Sequence, residues 1–247
     1  GIPLPQPASQ TTLLSVRNLR HRYSPRGAAA RAGQQPERAE AVLEFGSFDV
    51  GAGTVLLVRG ASGAGKSTLL HLLAGVLPLA REAGTVSIAA TEIAGLSVAR
   101  RDQLRPFVVG WMPQRLCLIE TLTVRENVLL PLALAGKSDA EGRRRADELL
   151  RTLDIEMLAA RRPVAISVGQ AARTSLARAL VAQPRLLLAD EPTAALDATS
   201  ANLVAHAIAT YAESGGAAVV ASHDPQLREM LGQCLPQGSV HTLELPR

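Results

Sequence analysis

The chain has 247 residues, a formal net charge of +4, 47% hydrophobic and 19% charged residues, which is the composition of a globular domain with one sizeable core and excludes a disordered or low-complexity chain. One Trp, two Tyr and three Phe leave the core to Leu, Val, Ile and Ala, and exclude the rows of stacking rings that hold single-stranded nucleic acid. Two cysteines, Cys117 and Cys234, make neither a disulfide framework nor a metal-ligand spacing, and no apolar run reaches the roughly 18 residues that span a bilayer.

A soluble, cytoplasmic chain is therefore expected, with any membrane role exercised through a partner. The densest charge run, Arg143-Arg144-Arg145, sits among Glu141, Asp147 and Glu148 and reads as a solvated helix face, not a nucleic-acid footprint.

Residues 1–12 are rich in Pro and Gln and lack a basic n-region and an apolar h-region. They read as a flexible end, not a signal peptide, ahead of one domain over 13–247. Leu13 to Tyr23 alternates like a strand. Residues 24–40 have no useful periodicity and read as an exposed loop or insertion. Val42 to Val50 is a second strand. Thr54 to Arg59 (TVLLVR) is a continuous β-rich run, the mark of a strand buried on both faces. A glycine-rich turn follows, then a helix from Ser67 to Gly75. A short strand region over 84–93 leads into a polar helical stretch, LSVARRDQLR. Residues 111–180 are mostly helical in pattern, with one helix over Asp139 to Leu153 and a break at Pro163. Arg185 to Ala189 and Ala217 to Ser222 are two further buried strands. Strands alternating with helices give an α/β fold with a parallel sheet, and the helical region, about 111–180, is inserted between two of its strands.

The turn after the first buried strand reads GASGAGKS, Gly60 to Ser67. It fits the P-loop spacing G-x-x-x-x-G-K-[ST]. Glycines let backbone N–H groups converge on one anion, and the following helix points its positive end at the same phosphates. Gly60, Ala61, Ser62, Gly63, Ala64, Gly65, Lys66, Ser67 and Thr68 are the candidate cradle. Lys66 supplies a point charge and the Ser67 hydroxyl a Mg²⁺ ligand. A nucleoside triphosphate with Mg²⁺ is the expected ligand pair. A second signal is LLLADEP, Leu186 to Pro192. A buried strand ends there in two carboxylates, at the edge of an α/β sheet where ligands sit. Asp190 is the expected metal ligand, and Glu191 the group that polarises the attacking water.

With these motifs placed, the rest of the chain resembles an ABC-type ATPase. The resemblance covers most of residues 13–245 and implies a P-loop core with a parallel sheet, an N-terminal antiparallel β region and the inserted helical subdomain. It implies a role for each matching residue. Gln114 in WMPQ corresponds to the Q-loop glutamine, which touches Mg²⁺ and links to the membrane partner. Ser167, Gly169 and Gln170 in ISVGQ correspond to the signature. Asp197 in ALD corresponds to the D-loop, His223 in SHD to the switch histidine, and Tyr23 to the aromatic residue that stacks on adenine. Two such subunits dock head to tail in the family, so the signature of one caps the ATP of the other. VGWMPQRLCLIETLTVRENVLLPLALAG is similar to subunits of the lipoprotein-release and macrolide-export type. That similarity implies a separate transmembrane permease subunit as partner, a peripheral location on the inner face of the cell membrane, and a docking groove along residues 115–131.

The signature departs from its family in carrying Val168 where glycine is usual. If that position needs φ > 0 or a close approach to phosphate, a β-branched residue is unfavourable there, and slow turnover is expected. A soluble ABC ATPase acting on nucleic acid or the ribosome is the main alternative; such proteins carry long coiled-coil insertions or two cassettes, and this sequence has neither. A P-loop small-molecule kinase would leave ISVGQ, ALD and SHD unexplained.

Overall fold

The computed structural model describes residues 11–22, 42–79, 81–92 and 107–246. Its centre is a five-stranded sheet in the order β6-β7-β8-β3-β9, parallel at every pairing. The strands are β3 (Thr54–Arg59), β6 (Val109–Met112), β7 (Leu186–Asp190), β8 (Ala217–Ala221) and β9 (Val240–Glu244). Every residue of β7 and β8 is buried, as are the first five of β3. Unbroken Val, Leu and Ala runs suit strands covered on both faces.

The pleat still divides these runs. Val55 and Leu57 of β3, with Leu187, Ala189, Ala218 and Val220, enter one core with the helices of the second half of the chain. Leu56 and Val58, with Leu186, Leu188 and Val219, enter another. That second core is closed by helix α1 (Lys66–Leu73) and by an antiparallel sheet in the order β2-β1-β4-β5. Its strands are β1 (Thr12–Arg22), β2 (Val42–Gly51), β4 (Thr85–Ile88) and β5 (Thr91–Glu92).

The connection from β6 to its neighbour β7 carries helices α2 (Val124–Leu134), α3 (Ala140–Thr152) and α4 (Val168–Leu180), each packed on the others. Helix α5 (Ala198–Glu213) lies between β7 and β8, and α6 (Pro225–Cys234) between β8 and β9. Sequence and local physics agree closely at α3, where Asp139 caps the helix by accepting from the Gly142 N–H at 2.7 Å and Leu153 ends it.

Two elements differ from expectation. Trp111 and Met112, placed at the head of the helical region, belong to strand β6, and helix begins only at Val124. The short run gains its sheet partner from β7, and Gly110 lets it press on α4, since a Cβ there would stand 2.3 Å from the Ala179 carbonyl oxygen. Strand β9 was not foreseen, because its half-buried VHTLE has no apolar run to announce it. Residues 1–10, Tyr23, the insertion at 24–40 and the polar helical stretch at 96–105 lie outside the described residues. Among the described residues no helix is long and apolar enough to cross a membrane.

Candidate active site

The sheet register aligns three chain segments. Asp190 of β7 and Val58 of β3 are both paired with Ala221 of β8. The loops leaving these three strands therefore emerge side by side, at the carboxyl edge where ligands collect in open α/β sheets. Between them lies an open cleft of about 820 Å³, lined by the Gly60–Thr68 loop apart from Ala64 and by Leu43, Gln114, Asp190, Glu191 and His223. Residues more than 160 positions apart in sequence meet there because parallel strands share one direction.

The loop is built for close approach. Gly65, the residue before α1, has φ +94, and a Cβ on it would lie 2.7 Å from Leu43 Cδ1. The first turn of α1 has no side-chain cap and no acidic residue, so its N–H groups face the cleft without a competing anion. Ala64 braces the loop from behind, its N–H donating to the Ala61 carbonyl at 3.1 Å. Lys66 Nζ donates to the carbonyls of Gly60 at 2.8 Å and Ala61 at 3.2 Å, which keeps its charge at the mouth of the loop.

The two carboxylates play different parts. Asp190 is 4% exposed. Burial raises its pKa, and the Glu191 charge adds to that, while a hydrogen bond from Ser67 and the charges of His71 and Lys66 pull it down. Ser67 thus ties the start of α1 to the end of β7. Glu191 has φ 51, a left-handed conformation uncommon outside glycine. Glu191 Oε1 lies 2.8 Å from His223 Nδ1, and Oε2 accepts from the His223 backbone N–H at 3.3 Å. The Glu191 side chain is 8% exposed and that of His223 72%, so the pair joins a buried carboxylate to an open imidazole.

Sequence reasoning missed the polar residues that flank this pair in the chain. Thr193 Oγ1 donates to Asp224 Oδ2 at 3.0 Å, and the Asp224 N–H donates to Ser222 Oγ at 3.0 Å. Asp224 also caps α6 through the Gln226 N–H. The Asp-Pro start of α6 was a legible cap signal; Leu43 of β2 carried no signal at all.

The remaining candidates stand elsewhere. Ser167, Gly169, Gln170 and Asp197 do not line the cleft. Ser167 and Gln170 form a reciprocal capping box at the start of α4, and Asp197 caps α5, accepting from Ser200 N–H at 2.9 Å and Ser200 Oγ at 3.0 Å. These bonds hold the Asp197 carboxyl below the usual range. Gly169 is the glycine this corner requires, because a Cβ there would be 2.4 Å from Ser200 Oγ. Val168 sits in the first turn of α4 with negative φ and is 61% exposed. The backbone-angle argument against valine is therefore removed; only its exposed bulk remains. Along 115–131, Val124 and Val128 are fully buried and Leu116 packs on the core, whereas Ile119 is 41% exposed and Leu118 half-buried. The expected groove is thus reduced to the stretch near Gln114.

Residues 43–194 match the family model described as ABC transporter. The chain belongs to the ABC transporter family. This cassette is 40% identical over 187 residues, 75% of its length and 80% of the relative's, to the lipoprotein-releasing system ATP-binding protein LolD of Gluconobacter oxydans (strain 621H). It is 36% identical over 236 residues, 95% of its length and 98% of the relative's, to LolD 2 of Caulobacter vibrioides. Among solved structures it superposes on the ATP-binding cassette MJ0796, a dimer in a post-hydrolysis state bound to ADP and Pi, with TM-score 0.74, 26% identity and coverage of 95% of this chain and 97% of that one. A second dimeric structure of that bacterial cassette gives TM-score 0.75 at the same identity and coverage. The cassette is thus an ATP-binding, ATP-hydrolysing subunit of an ABC transporter.

Proposed function

We propose that this cassette binds ATP with Mg²⁺ in the cleft between β3, β7 and β8, and that its hydrolysis drives a separate membrane subunit of the lipoprotein-release type. The meeting of the Gly60–Ser67 loop with Asp190, Glu191 and His223 in one cleft carries the reading. The names of the two LolD relatives support the choice of partner. That partner would hold the cassette on the inner face of the membrane.

The donor set fits Mg²⁺. Ser67 hydroxyl and Asp190 carboxylate are hydrogen-bonded to each other, Gln114 lines the same cleft, and all three offer hard oxygen atoms. Among the described residues no group of three or more His, Cys, Asp and Glu could cage a metal alone; substrate phosphates and waters would complete its shell, as Mg²⁺ prefers. When bound, the ion supplies neutralisation of phosphate charge. The protein does the rest by positioning. The loop N–H groups and Lys66 hold the phosphates. Glu191 accepts the proton of the attacking water, and His223 fixes the Glu191 carboxylate from its open side. Ser167, Gly169, Gln170 and Asp197 act from a second cassette, identical or different, closing head to tail; their absence from this chain's own cleft supports that division. Tyr23 is assigned to adenine by family resemblance alone.

Glu191→Gln is the test. Its solution mass should shift from monomer to dimer on addition of Mg-ATP, with ATP turnover reduced at least about 100-fold. Retained turnover would overturn the role of Glu191. Val168→Gly should turn over faster than the parent, since the exposed valine stands at the closing surface; an unchanged rate would show that its bulk does not limit closure.

A further inference from the structure

We propose that Arg178 is a positioning residue that sets where Gln114 stands in the cleft. The inference rests on the role given to Gln114 above. Arg178 lies on α4, and its two terminal nitrogens grip consecutive carbonyls of the segment just after Gln114: NH1 donates to Cys117 O at 2.7 Å and NH2 to Leu116 O at 2.6 Å. NH2 and Leu116 O are also each in contact with Ser175 Oγ, at 3.4 Å. Among the described residues no carboxylate lies within ion-pair distance of Arg178, and burial lowers its pKa. A guanidinium keeps its charge even so. Its fork is spent entirely on this loop and on its own helix.

The loop needs such a grip. Cys117 has φ 50, a conformation that an L side chain holds only when the surroundings impose it. Two residues on, the segment is pinned again. Asn127 of α2, fully buried, accepts from the Ile119 N–H at 2.8 Å and donates to the carbonyls of Ile119, Leu122 and Thr123. Both grips come from helices of the inserted subdomain. Pro113, Gln114 and Arg115 are left as the short span between β6 and the grip. Helix α4 therefore carries Ser167 at its start and, eleven positions later, the side chain that holds the Gln114 loop. Any movement of α4 that brings its first turn to a partner's ATP moves this loop with it.

The geometry uses the fork, one nitrogen to each carbonyl. An ammonium, as Lys66 shows, can reach two successive carbonyls from one point, but it lacks the planar fork that puts a separate nitrogen on each and fixes their relative orientation. The experiment is a double-mutant cycle in the full chain, measuring kcat for ATP and the Kd of a fluorescent ATP analogue. Arg178→Ala should lower kcat about 10- to 100-fold and leave Kd within about twofold, and Arg178→Lys should recover only part of the loss. In a Gln114→Ala background, Arg178→Ala should cost less than about twofold more, because the two residues then act as one unit. Multiplicative losses in the cycle, or a loss confined to Kd, would overturn the proposal. Should Arg178→Ala fail to fold, the same cycle run with Arg178→Lys decides. Lys66→Ala separates the two levels of claim: turnover surviving that change defeats the reading of the cleft itself, whereas turnover lost there with a multiplicative Arg178 cycle defeats only the present inference.

Discussion

At the end of β7 two adjacent carboxylates take different partners. Asp190 is buried and bonded by Ser67, while Glu191, at φ 51, meets His223. The burial of Asp190 has a cost that pH reveals. Its folded pKa is raised from the ordinary 3.8, chiefly by burial, so the folded chain keeps a proton that the unfolded chain has released. Stability from this group is then greatest at low pH and falls as pH rises from about 3.8 through the folded value. Asp190→Asn should remove that slope. Urea midpoints of variant and parent should draw apart between pH 4 and pH 7, with the variant gaining, while Mg²⁺-dependent ATP binding is lost. Gly169 gives a steric counterpart. Gly169→Ala should cost about 1–3 kcal/mol by overpacking against Ser200. Adding Ser200→Gly should return part of it, which a denaturation cycle would show as non-additivity.

At the scale of elements, α2 rests on a polar residue inside an apolar face. Fully buried, Asn127 accepts from one backbone donor and shares its two amide protons among three carbonyls. Asn127→Leu should destabilise the fold by about 1–2 kcal/mol, since the Ile119 N–H and the Leu122 carbonyl lose their side-chain partner, whereas the Ile119 and Thr123 carbonyls keep the Leu122 and Asn127 backbone N–H groups; equilibrium unfolding in urea checks it. Sequence reading gave α3 its bounds because local signals agree there: an Asp cap, an amphipathic repeat and no glycine inside the last three turns. The same reading could not see β6 or β9. Four or five residues hold little local information, and each becomes a strand only because a buried neighbour offers its free edge. The buried position of Asn127 was equally hidden, since a lone Asn in a helix carries no mark of what it will bond.

For the whole molecule, ligand binding and folding are linked. The cleft joins three strands and α1, so nucleotide bound only by the folded chain stabilises all of it. Mg-ATP at 100 times its Kd should add about 2.7 kcal/mol to unfolding stability, and Lys66→Ala should abolish the gain; a thermal shift titration reads both. The residues of the phosphate loop and the DE pair were legible because each motif is contiguous, and its chemistry is carried by residue types at fixed spacing. The order of the motifs along the chain sufficed for the family. Tertiary structure decided the rest. It set Gly60, Asp190 and His223 around one cleft through the shared register at Ala221, and it joined His223 to Glu191. It kept the signature away from that cleft, made Gly169 and not position 168 the required glycine, and put Arg178 on the Gln114 loop. These are contacts between residues distant in sequence, and no local pattern encodes which distant carbonyl, strand or side chain a residue will meet.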